Sequence, residues 1–104
     1  MDRVLEQGRQ VGLSSLVVFE WLRGIRTPGQ NMAQEALFPA AAALPFGPEE
    51  AEVAARLYRS LKRPRGREID IGIAATAIRH EAHLWTLNSK DFADIPGLSL
   101  WRPR

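Results

Sequence analysis

Cysteine is absent from the 104 residues. Disulfides and thiolate zinc sites are therefore excluded, and a cytoplasmic setting is expected. No apolar run approaches the roughly 20 residues needed to span a bilayer, so no membrane partner is expected. The opening Met1-Asp2-Arg3-Val4-Leu5-Glu6-Gln7 lacks the charged-then-apolar pattern of a secretion signal. There is no G-x-S-x-G elbow for a serine hydrolase and no glycine-rich loop of the phosphate-binding kinds. Histidine is scarce. His80 and His83 stand three apart with no third soft ligand beside them, which argues against a zinc site. Internal repeats are lacking, and the alanine run Ala40 to Ala43 is the one low-complexity stretch.

What remains is an ordinary globular composition at the size of one small domain. The net charge is only +2, but its placement is uneven. Lys62, Arg63, Arg65 and Arg67 form one basic cluster, and Arg102 and Arg104 another. Such clusters attract phosphates, or serve as a solvated loop and a charged tail.

The coarse order of elements reads β-α-α-β-α-α-β-α-β. Val11 to Ser15 reads as a strand, and Ser14 or Ser15 offers an oxygen to the first amides of a helix. That helix, Leu16 to Arg23, is apolar on nearly every side, and Gly24 is a plausible stop. Thr27-Pro28-Gly29 marks a turn, with a short helix over Asn31 to Phe38. Pro39 and Pro45 bracket Ala40 to Phe46, which is read as a strand. Pro48, Glu49 and Glu50 open a helix that carries Ala54, Leu57, Tyr58 and Leu61 at helical spacing. Glu68 to Glu81 is the next helix. His83 to Thr86 is a strand, Asn88 to Phe92 a turn or single helical turn, and Leu98 to Trp101 a last strand. Strands alternating with helices predict a parallel sheet covered by helices.

Three carboxylates stand out against this background. Glu20 interrupts an apolar helix, where a buried charge is costly unless paired or bound to a cation. Pairing with Arg23 one turn on, or exposure through a gap, would also satisfy it. Asp70 opens a helix among Ile69, Ile71 and Ile73, and could simply complement the helix dipole. Asp91 falls just past a strand end, where ligands collect in open α/β sheets, or where it could cap a helical turn; Asp94 could do the same. Taken together, the three supply the oxygen ligands that a hard divalent cation wants. Such an ion can generate hydroxide and clamp a scissile phosphate.

The residues around each acid resemble a known family. Gly12-Leu13-Ser14-Ser15-Leu16-Val17-Val18-Phe19-Glu20-Trp21-Leu22-Arg23-Gly24 is similar to the strand and helix carrying the second acid of PIN domains. Glu68-Ile69-Asp70-Ile71-Gly72-Ile73-Ala74-Ala75-Thr76-Ala77-Ile78 resembles the helix of the third acid. Leu84 to Leu98, with Thr86, Asn88, Asp91 and Phe92 in a T-x-N-x-x-D-F core, resembles the closing segment.

The resemblance implies a PIN-like (Rossmann-like) parallel sheet flanked by helices. Residues 1–104 would form a single PIN domain that is N-terminally incomplete, lacking the usual first strand and helix. It implies a VapC-type toxin of a toxin–antitoxin pair, a Mg²⁺- or Mn²⁺-dependent endoribonuclease. Its expected partners are an RNA substrate, a VapB-type antitoxin and a second copy in a homodimer. Glu20, Asp70 and Asp91 would be the catalytic metal-site acids and Thr86 and Asn88 supporting polar groups. Separately from the resemblance, Arg63, Arg65 and Arg67 are the basic side chains placed to meet RNA. The family's first acid, in an L-D-T/S-x-x-L-I strand, has no match, and Asp2 is not assigned to it. Weak metal binding and little nuclease activity are therefore expected of the chain as it stands. The alternative is a catalytically impaired remnant that binds antitoxin or dimerises.

Overall fold

The computed structural model describes residues 3–8, 10–24 and 27–101. Asp2, Arg26 and the Arg102 and Arg104 cluster lie outside the described residues. The elements are β1 (Val4–Gln7), β2 (Gln10–Gly12), α1 (Ser15–Arg23), α2 (Pro28–Leu37), α3 (Pro48–Ser60), α4 (Glu68–Arg79), β3 (His83–Trp85) and β4 (Ser99–Leu100). Short 3-10 turns cover Ala40–Ala42 and Ser89–Phe92. No described helix is long and apolar enough to cross a membrane.

The expected α/β architecture is present, but the strand directions are mixed. The sheet runs β2-β1-β3-β4, with β1 antiparallel to both neighbours and only β3 and β4 parallel. The reason is β1, which the sequence pattern does not announce. It joins β2 through a tight turn at Gly8, whose φ of +62° is a conformation glycine enters without a Cβ clash. A turn that short forces antiparallel pairing, whereas residues 86–98 are long enough for the crossover that parallel β3 and β4 need. Leu5 of β1 and Leu84 of β3 are directly paired and both fully buried, which places this strand pair against the core.

Ser14 caps α1 as expected, its Oγ accepting from the Leu16 amide at 3.1 Å. The Ser15 hydroxyl accepts from the Phe46 amide at 3.0 Å and so ties α1 to the segment before α3. The two strands expected at Val11–Ser15 and Ala40–Phe46 shrink to β2 and one parallel bridge between Ser14 and Leu44. Pro39 and Pro45 flank that bridge and have no amide to extend it, and the alanines between them close a 3-10 turn instead. The helix expected from Asn31 begins earlier, at Pro28. Thr27 is its cap, the Thr27 and Gln30 side chains satisfying each other's backbone amides.

The core is built by α4. Its residues Ile71 through Ala77 are all buried, covered by α3, α1 and β3. Gly72 permits the close approach of α1: a Cβ there would collide with the Leu16 side chain and lie 3.3 Å from the Phe46 ring. Glu50 holds the other side of α4. It accepts from the Gly47 amide at 2.9 Å, which starts α3, and reaches His80 Nε2 at 3.3 Å, just past the end of α4. Glu81, at φ 53°, then stops the helix in the left-handed region.

Candidate acid site

Two of the three candidate acids meet. Glu20 lies mid-way along α1 and Asp70 in the first turn of α4; the packing at Gly72 brings these helices side by side. Between the two carboxylates sits the guanidinium of Arg3, the residue that leads into β1. Its Nη2 is 2.7 Å from Glu20 Oε1, and its Nη1 donates to Asp70 Oδ1 at 2.9 Å. Oε1 of Glu20 is shut off from solvent, with Arg3 against it as counter-charge. Arg23 approaches the other oxygen of Glu20 at 3.6 Å while lying over the Phe19 ring, 5.5 Å from its centre. The pairing with Arg23 weighed from sequence is thus present, but the nearer partner is Arg3.

Asp91 belongs to a different arginine. It is exposed, on the 3-10 turn after β3, and its carbonyl accepts from Arg67 Nη2 at 2.9 Å. The same guanidinium grips Asp94 with both terminal nitrogens, at 2.6 and 2.9 Å. That hydrogen bonding holds the Asp94 carboxyl below its ordinary pKa and raises Arg67 above its own, with the charges of Asp94, Asp70 and Asp91 adding to the rise in Arg67. Arg67, expected to face RNA, is half-buried and ties the start of α4 to the 3-10 turn, while Arg63 and Arg65 stay exposed. Thr86 and Asn88 shape that turn. Thr86 Oγ1 accepts from the Asn88 amide at 3.1 Å, and the Asn88 carbonyl accepts from the Asp91 amide at 3.0 Å.

Among the described residues, no group of three or more Asp, Glu, His or Cys is arranged to hold a metal ion. The arrangement is instead two acids closed by one arginine, beside a second arginine that binds Asp94 and the backbone of Asp91. Sequence reasoning missed Arg3 altogether. Its partner Asp70 lies 67 positions away, and nothing in the local pattern marks it. Asp94 was legible as a neighbour of Asp91, but not as the partner of Arg67.

Comparison with known proteins gives the family. Residues 2–98 match the PIN domain family. The chain is 36% identical to Ribonuclease VapC19 of Mycobacterium tuberculosis over 101 residues, which covers 94% of this chain and 79% of that protein. It is 47% identical to Ribonuclease VapC of Rickettsia bellii and 48% identical to Ribonuclease VapC1 of Rickettsia felis, in both cases over 62 residues and 55% of this chain. The matched stretch spans 44% of the length of each Rickettsia protein. No solved structure matches. With the family match running over nearly all of the chain and the two helix-borne acids side by side, the chain belongs to the PIN-domain family, in its VapC-type branch.

Proposed function

We propose that this protein is an endoribonuclease of VapC type, the toxin of a toxin–antitoxin pair, cleaving RNA phosphodiester bonds with Mg²⁺ or Mn²⁺ as cofactor. A VapB-type antitoxin and a second copy of the chain are its proposed protein partners, and the cytoplasm its proposed location. The observation that carries the reading is the convergence of Glu20 and Asp70, from two helices, around one positive charge. The names of the relatives support the reaction class.

As arranged, the side chains do not fit a divalent ion. Mg²⁺ wants an octahedron of oxygens at about 2.0–2.1 Å, usually with several waters kept. Here a guanidinium lies between the two carboxylates, and Asp91 is not grouped with them. What the chain's own residues supply in this state is a charge-balanced acid pair. Exposed Arg63 and Arg65 nearby offer positive charge to a phosphate backbone.

The test is cleavage of RNA by the purified chain with Mg²⁺, with Mn²⁺ and with a chelator, beside Asp70→Asn. With no match to the family's first acid and Arg3 between the other two, slow metal-dependent cleavage that Asp70→Asn abolishes is the expected result. Cleavage that persists in chelator, or that Asp70→Asn leaves untouched, contradicts it.

A further inference from the structure

We infer that Arg3 is an internal cation that closes the acid pair, so that a divalent ion binds only after this side chain withdraws. The inference rests on the metal-dependent reading of the same site.

Two carboxylates held this close repel unless a cation stands between them. A guanidinium is suited to that place because it is permanently charged and presents its donors as a planar fork, so that one side chain can serve two acids at once. Arg3 does so, with one terminal nitrogen on each carboxylate. The backbone beside it is fixed, since Val4 is paired with Trp85 in the sheet. The Arg3 side chain is 26% exposed, so it is not sealed into the core, and its withdrawal would not require β1 to unpair.

Other charges act in the same direction. Arg23 lies on the far oxygen of Glu20, and Arg67 shares its field with Asp70. The pair is thus already neutralised, whereas a divalent ion needs an excess of negative charge. An ion that binds only the open state has its apparent affinity reduced by the fraction of time Arg3 is away. Arg3 is then a positioning residue for the acids and a competitor of the metal.

The test is Mn²⁺ binding by the full chain without RNA, followed by the paramagnetic signal of free Mn²⁺, for wild type, Arg3→Met and Arg3→Lys. Arg3→Met keeps the length of the side chain and removes its charge. It should bind Mn²⁺ about tenfold or more tightly than wild type. Arg3→Lys keeps a cation, which protects the fold, but one ammonium bridges two acids less well; it should move the same way by less. If wild type binds Mn²⁺ and neither variant binds it more tightly, the inference is overturned and the ribonuclease reading stands. If no variant binds Mn²⁺ even at millimolar concentration, the metal-dependent reading fails and the inference fails with it.

Discussion

Helices α2 and α4 are close in length and opposite in character. In α4, every side chain from Ile71 to Ala77 is buried, and its first turn carries Asp70. In α2 no residue is buried, and Met32 and Leu37 are 73% and 74% exposed. Both helices were expected, but only α4 was placed near its true start. α4 shows a dense run of isoleucine and alanine, whereas Thr27 and Pro28, which with Gln30 start α2, read as a turn, and the helix was expected only from Asn31. Local capping is enough to start a helix, but only burial binds it to the rest of the chain. The difference places the candidate site where the structure is most tightly determined.

The widest separation should come from truncating one leucine in the core around α4 and one in α2. Leu84→Ala, at the one fully buried position of β3, the strand beside α4, should cost about 2–5 kcal/mol in urea unfolding. Leu37→Ala in α2 should stay within about 0.5 kcal/mol. Equal losses would mean that α2 packs on the core after all. A smaller effect is expected at the contact that brings the two acids together. Gly72→Val, which puts a branched side chain against Leu16 and Phe46, should destabilise by about 1–3 kcal/mol. It should also weaken whatever the acid pair binds, because α1 is pushed away from α4. A neutral result would show that the helices have room to spare.

The smallest expected effect is in the acid range, at the pair of half-buried Arg67 and exposed Asp94. The pKa of Asp94 is depressed in the folded protein. Its contribution is therefore full above the unfolded value of about 3.9 and is lost as pH falls through the lower folded value. Asp94→Asn should lower stability slightly near neutral pH and flatten the decline below about pH 4. An unchanged acid profile would detach Arg67 from Asp94.

The parts of the fold that could be read from the sequence are those fixed by neighbours in the chain. Ser14 and Gly24 bound α1, Pro48 with Glu49 and Glu50 opens α3, and the isoleucine and alanine run marks α4. What could not be read depends on distant pairing. Val4 to Gln7 is too short to show a period, and it becomes a strand because Leu5 and Leu84 bury each other. That unforeseen strand turns the expected parallel sheet into a mixed one and carries Arg3 to the acids. Glu20 and Asp70 were legible as charges in apolar surroundings. That Asp91 would be drawn toward Arg67 was not, because the basic cluster looked like a surface for RNA rather than a clamp for the chain's own turn.

The arrangement of Arg3 between the helices is tested most directly by a double-mutant cycle on stability in chelator, with Arg3→Met, Asp70→Asn and both together. Residues in contact should couple, here by about 1 kcal/mol. Losses that add within about 0.3 kcal/mol would show that Arg3 and Asp70 do not meet in solution, and that the acid pair is not closed by this arginine.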